Sequence, residues 1–116
     1  MGRARDRWEE LSAAMARAEV DAFVDLYAPD AVWLEPQNPP HETNLLIQSY
    51  LSSWLQAREN IEIATTRLLE SEDGDTVAVE WTISYDAAGR RWKALPRSTW
   101  LELGPDGAIR YQRDYY

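Results

Sequence analysis

The chain has 116 residues, enough to bury one real core and too few for a second, and its 12 Lys and Arg against 20 Asp and Glu leave a net charge of −8. This excess of negative charge argues against binding nucleic acid or an anionic membrane through a general field, so any basic surface must be local. The absence of Cys excludes disulfides and thiol catalysis, and with a single His a zinc site would rest on carboxylates, so neither a metal nor another cofactor is expected.

Near the N-terminus Arg3, Arg5 and Arg7 are followed by no apolar run, which fits neither a secretory signal nor a membrane anchor. A cytoplasmic protein is expected. From Asp6 to about Arg17, Trp8, Leu11 and Met15 fall at helical spacing. Val20, Phe23, Val24 and Tyr27 then fall at i, i+3, i+4 and i+7, predicting a second helix that Pro29-Asp30 ends. A short strand follows over Ala31–Glu35, with Val32 and Leu34 on one face and Trp33 and Glu35 on the other. Gln37 to His41 reads as a rigid polar loop, and Leu46, Tyr50, Leu51, Trp54 and Leu55 mark a third, amphipathic helix.

The period then changes. Strands are predicted at about 60–70, 74–86, 90–103 and 108–116, separated by the Gly-bearing turns "SEDGD", "DAAGR" and "GPDG". Val77, Val79, Trp81, Ile83 and Tyr85 make the covered face of the clearest of them, whereas the last strand alternates without an apolar side. Helices first and strands later imply an α+β domain spanning 1–116, with the helices laid on one face of an antiparallel sheet.

This order of elements, with "DLYAPDAVWLEP" and the terminal "GAIRYQRDYY", resembles the SnoaL-like branch of the nuclear transport factor 2-like superfamily. That branch holds polyketide cyclases, ketosteroid isomerases and limonene-type epoxide hydrolases, and the superfamily also holds scaffold and binding proteins. The resemblance implies a cone: a strongly curved, mostly antiparallel sheet wrapped around three N-terminal helices, with a pocket at the open end. It implies that Trp33 and Glu35 point into the cone, Glu35 at the register of the isomerases' proton-abstracting aspartate. "RDYY" is similar to the hydrolases' "RDYF", which places Asp114 at one of their catalytic aspartates and puts Gln112 and Tyr116 on the same inward face. The departures are also specific. Leu11 and Thr99 stand where the isomerases hold their oxyanion-stabilising tyrosine and acid, Trp81 and Ile83 where the hydrolases hold an arginine and a second aspartate, and Trp33 replaces the hydrolases' tyrosine.

On this reading Glu35 and Asp114 are the candidate catalytic pair, and Trp33, Trp54, Trp81, Tyr85, Thr99, Gln112, Tyr116 and His41 are the candidate substrate contacts. Set against Trp33 and Trp81, the Glu35 carboxylate would be desolvated, which suits a general acid or base. Asp114 would serve as its partner or be held in a structural ion pair with Arg97. Thr99 and Gln112 would donate to developing negative charge, and His41 is either an acid/base group at the pocket rim or an exposed loop histidine. Tyr27 and Tyr50 fill core or pocket wall. Trp92, Trp100, Tyr111 and Tyr115 are expected on the outer face of the sheet, as a homodimer interface. The implied activity is proton transfer on an apolar, oxygenated small molecule: isomerisation, cyclisation or dehydration, with epoxide hydrolysis a poorer fit. The alternatives are a non-catalytic binding protein of the same fold and an interaction module that works through its sheet face.

Overall fold

In the computed structural model, which describes residues 3–116, the helices are α1 (Arg3–Ala16), α2 (Val20–Val24) and α3 (Asn44–Gln56). The strands are β1 (Tyr27–Leu34), β2 (His41–Glu42), β3 (Glu59–Glu70), β4 (Thr76–Ala87), β5 (Arg90–Leu103) and β6 (Ile109–Tyr115). They form one curled six-stranded sheet in the order β2-β1-β6-β5-β4-β3. Every pairing is antiparallel except β1 with β6, which is parallel. The long crossover that a parallel pair requires is supplied here by everything between β1 and β6.

Helix α1 buries Ala4, Trp8, Leu11 and Ala14, one face of a 3.6-residue repeat. Trp8 packs on Trp81 with ring centroids 5.2 Å apart, and its indole N–H is satisfied by Thr65 Oγ1 at 2.9 Å. Helix α2 is shorter than its periodicity predicts. Tyr27 already belongs to β1, because Ile109 N–H donates to Leu26 O at 2.8 Å and the parallel pairing takes the backbone out of the helix. In α3, capped by the Thr43 hydroxyl, the buried stripe is Ile47, Leu51 and Leu55. Tyr50 and Trp54 flank it half-buried, and Leu46, in line with them at the first turn, is exposed. No helix among the described residues is long and apolar enough to cross a membrane.

The inner face of the sheet is set by register. Val77, Val79, Trp81, Ile83 and Tyr85 are all buried. Residues directly opposite one another on neighbouring strands point to the same side. Val79 therefore aligns with Thr99 and then Asp114, and Val77 with Leu101, Gln112 and Trp33. This chain of pairings orients β6, which its own sequence pattern does not: Gln112 and Asp114 go inward, Arg113 and Tyr115 outward.

One expectation fails at a bulge. Ile83 pairs with Leu95 but Tyr85 pairs with Trp92, so β5 carries one extra residue there, around Ala94 with φ 50°. The alternation of β5 inverts across it. Trp92 consequently lies on the side of Tyr85, half-buried, and is not part of the outer aromatic face, whereas Trp100, Tyr111 and Tyr115 are. A left-handed conformation costs an alanine roughly 1–2 kcal/mol, and the exposed Ala94 side chain has little packing to offset it. Ala94→Gly is therefore expected to stabilise the fold by about 0.5 kcal/mol after the added chain entropy is counted. Urea unfolding that shows a loss of stability instead would mean that the Ala94 methyl group, not the backbone, holds the bulge.

Candidate active site

Asp114 is the most constrained polar group in the cone. It is buried, and three side chains donate to its carboxylate: Thr99 Oγ1 at 2.8 Å and Gln112 Nε2 at 3.0 Å to Oδ1, and Trp33 Nε1 at 2.9 Å to Oδ2. The donors are themselves held in place. Trp81 Nε1 donates to Thr99 Oγ1 at 2.9 Å, which turns the threonine proton toward Asp114, and the Tyr27 hydroxyl donates to Gln112 Oε1, which fixes the amide orientation. Burial pushes the Asp114 carboxyl up to about 6 against the pull of its three hydrogen bonds, and the charge of Glu35 adds to the rise. With Oδ1 accepting two donors and Oδ2 one, a proton arriving on Asp114 has its open place on Oδ2. Burial also raises the Tyr27 pKa well above the phenolic range, so that hydroxyl stays a donor.

Glu35 follows the last residue of β1 and precedes Pro36, so it ends the strand while keeping its inward direction. Its side chain is only 7% exposed. His41 Nε2 lies 3.0 Å from Glu35 Oε1, and Asn38 Nδ2 donates to the same oxygen at 3.1 Å. The sequence reading of His41 as a residue of a polar loop is corrected here. His41 is in β2, opposite Trp33, and its ring stacks on Tyr50 at 4.0 Å and meets the Trp33 ring at 5.5 Å. The pairing with β1 folds the Pro-rich loop back and delivers the imidazole to the carboxylate six residues before it. Burial and the neighbouring Glu35 carboxylate raise the Tyr50 pKa, which keeps its hydroxyl protonated beside Glu35.

Trp33, Glu35, Tyr50, Trp54, Trp81, Asp114 and Tyr116 line one cavity with a volume of about 40 Å³. Beneath it a second void of about 20 Å³ lies against α1 and shares Trp33, Trp81 and Asp114, with Gln112 in its wall. Together they have room for a few waters; a pocket for a drug-sized ligand takes ~300–1,000 Å³. Six of the ten residues proposed from sequence thus meet at the main cavity. Tyr85, Thr99, Gln112 and His41 stand behind it: Tyr85 packs edge-on to Trp54 at 5.6 Å, Thr99 and Gln112 are engaged by Asp114, and His41 by Glu35. Thr99 and Gln112 are therefore not free to serve a bound oxyanion. The Arg97–Asp114 ion pair, the structural alternative for Asp114, does not form; Arg97 lies over the Tyr116 ring at 4.1 Å and donates to Pro96 O at 3.0 Å.

Two contributors escape sequence reasoning. Asn38 has no pattern to reveal it, since a loop asparagine is ordinarily turn chemistry. Arg58 does carry a signal: it stands four residues after Trp54, the spacing of neighbours on one helical face. Its guanidinium stacks over Trp54 at 4.2 Å and Tyr85 at 4.9 Å.

The arrangement holds one carboxylate by neutral donors and the other by an imidazole, around one small aromatic cavity. Because the folded-state pKa of Asp114 lies above 3.8, the native protein binds more protons than the unfolded chain between about pH 4 and 6, and the contribution of Asp114 to stability falls as pH rises through that window. The change amounts to ~3 kcal/mol. The stability of the wild type relative to Asp114→Asn is expected to decline by that order between pH 4 and 6, with the Asp114 carboxyl carbon titrating near 6 by NMR. A flat difference across the window would show that the three hydrogen bonds outweigh burial.

A family profile described as a SnoaL-like domain matches residues 8–112. Among curated proteins none matches the sequence significantly. Among solved structures, a proposed polyketide cyclase from Xanthomonas campestris pv. campestris superimposes with a TM-score of 0.87 at 20% identity, over 98% of this chain and 90% of that one. SalBIII, an epoxide hydrolase/cyclase-like enzyme in pyran ring formation of the polyether salinomycin, does so with a TM-score of 0.83 at 21% identity, over 97% and 88%. A ketosteroid isomerase-like protein from Catenulispora acidiphila DSM 44928, solved in complex with trimethylamine, gives 0.83 at 20% identity, over 95% and 84%. At such identities these three structures establish the fold alone, and it is the profile match over most of the chain that assigns membership: the chain belongs to the family of SnoaL-like domains.

Proposed function

We propose that residues 1–116 form one SnoaL-like domain that acts in the cytoplasm as a small, cofactor-free acid/base enzyme on an oxygenated, partly apolar small molecule. The observation that carries this reading is the pair of Glu35 and Asp114 lining a single aromatic cavity, each almost fully desolvated and each oriented by named partners. Buried carboxylates in a cleft are expensive unless they are paired or used, and pKa values displaced toward neutrality gather at functional sites. Glu35, steered by His41 and Asn38, takes a proton from carbon beside a carbonyl. The electron pair of that C–H bond becomes the C=C bond of an enolate as the carbonyl π pair moves to oxygen, where the Tyr50 hydroxyl donates. In a β,γ-unsaturated ketone the enolate extends over the second double bond, and the proton is returned at its far carbon, directly or through Asp114 Oδ2, as the carbonyl re-forms. The sum is an isomerisation, and the same pair serves cyclisation or dehydration. Trp33, Trp54, Trp81 and Tyr116 form the wall.

The test needs no known substrate. A panel of small ketones in D₂O is expected to show protein-dependent exchange at carbon next to the carbonyl by proton NMR. Glu35→Gln should lower that exchange by roughly 100-fold, the lower range of general base catalysis, while changing ligand affinity by no more than about threefold. Exchange that survives in Glu35→Gln, or that vanishes only with affinity, would sink the catalytic assignment.

The smallness of the cavity favours a second reading, in which the cone binds a small ligand without turnover, or in which the outer sheet face matters more. Leu69, Trp100 and Tyr115, exposed at 76%, 41% and 52%, surround a groove of about 410 Å³ on that face. Exposed apolar patches of this kind mark interaction surfaces, and we assign this one, with Tyr111, to a homodimer interface. Sedimentation velocity at micromolar concentration is expected to show a dimer, and Trp100→Glu to weaken it by at least about tenfold; a monomeric wild type would remove the interface.

A further inference from the structure

Arg58 and Arg97 stand out among the cations. In this acidic chain Arg3, Arg7, Arg67, Arg91 and Arg110 each have a carboxylate within 4 Å; Arg5, Arg17, Arg58, Arg90, Lys93, Arg97 and Arg113 have none among the described residues, and of these all but Arg58 and Arg97 are exposed. Both are only half exposed. A guanidinium carries five N–H donors, yet Arg58 makes a single hydrogen bond, to Trp54 O at 3.0 Å, and Arg97 a single one, to Pro96 O. Arg58 Nε is the one buried side-chain nitrogen or oxygen among the described residues that lacks a partner. Such an orphan is uncommon in a native fold and calls for an acceptor.

Their positions agree. Arg97 faces inward from β5, opposite Trp81, and lines the cavity. Arg58 approaches from the other wall, just beyond α3, stacked on the cavity residue Trp54 and on Tyr85 behind it. Burial and the Glu35 charge raise the pKa of the Tyr116 hydroxyl, and the charges of Arg97 and Arg58 both pull against that rise. Stacking fixes the two guanidinium planes and leaves Nη2 of each without a protein acceptor, a donor by which arginine receives a carboxylate.

We propose that Arg58 and Arg97 form an anion clamp at the mouth of the cavity, so that the ligand is a small carboxylic acid held by its carboxylate between them. The clamp rests on the placement of the substrate in this cavity, as in the acid/base reading. It also orients the ligand. Glu35 and Asp114 repel an anion, so the carboxylate stays at the arginine end and the apolar, reactive end goes toward the two acids.

The probes are phenylacetate, phenylacetamide and trimethylammonium, titrated into the full chain by ¹H–¹⁵N NMR including the arginine Nε–H signals. Phenylacetate is expected to bind at least about tenfold tighter than the amide, and Arg58→Gln and Arg97→Gln each to cost about that factor for the acid and little for the amide. Arg58→Lys, which retains charge without the planar fork, should recover part of the loss and guards against Arg58→Gln acting through Trp54 packing. Equal binding of acid and amide, a preference that survives both glutamine substitutions, or tighter binding of trimethylammonium would overturn the clamp. Failure here is separable from failure of the catalytic reading. Arginine-dependent acid binding without ketone exchange leaves the clamp and removes the enzyme, whereas Glu35-dependent exchange without acid preference does the reverse.

Discussion

The structure depends on how it accommodates one buried carboxylate. Asp114 has no cation beside it, and a desolvated charge with unfilled acceptor positions would cost several kcal/mol. Its three donors come from three strands, Trp33 from β1, Thr99 from β5 and Gln112 from β6, and Trp81 of β4 extends the network. The network therefore fixes the register of the parallel β1–β6 pair and of β5 against its neighbours at the same point. A one-residue slip of any of these strands would turn a donor outward and leave the carboxylate uncompensated. Departures from the enzyme families also become intelligible. Trp33, Thr99 and Trp81, which the resemblance puts at positions where the family's enzymes hold polar catalytic residues, serve Asp114 here, the last through Thr99.

Much of the fold was legible because periodicity reports burial. The alternation in β4 and the Gly-bearing turns yielded β3, β4, β5 and β6 almost to their ends, and the helical spacing of Trp8 and Leu11 predicted the buried face of α1. The misreadings arose where long-range pairing overrode local pattern. Tyr27 fits a helix by spacing and is in β1 because β6 pairs with it; His41 looks like loop and is in β2 because it pairs with Trp33. Trp92 was misplaced because a bulge of one residue at Ala94 leaves no mark in composition.

The site was legible to a different extent. The inward direction of Glu35 and Asp114 came from the resemblance of "AVWLEP" and "RDYY" to family segments, since β6 alone has no apolar side to orient it. What those segments do not carry is the partnership of each acid. The Glu35–His41 contact spans a loop with two adjacent prolines, and the donors to Asp114 are set by cross-strand register, neither of which is a local property of sequence. Arg97 illustrates the risk of inferring an ion pair from a shared face. It does point inward, but the aromatic ring of Tyr116 takes its guanidinium.

Charge is graded along the cone. Deepest lies Asp114, held by neutral donors alone; next comes Glu35 with a titratable partner in His41; at the mouth stand Arg58 and Arg97, stacked on aromatic rings. This order follows the cost of desolvation, because a permanent cation is most expensive where water is least available. It also determines which walls can yield to a ligand. Trp33 and Trp81 are locked by hydrogen bonds through their indole nitrogens, and moving either would strip a donor from Asp114 or from Thr99. Tyr116 is half exposed and held by the stack with Arg97. Enlarging a 40 Å³ cavity toward the size of a small substrate therefore proceeds at the mouth, where the half-exposed Tyr116 is the wall that can move.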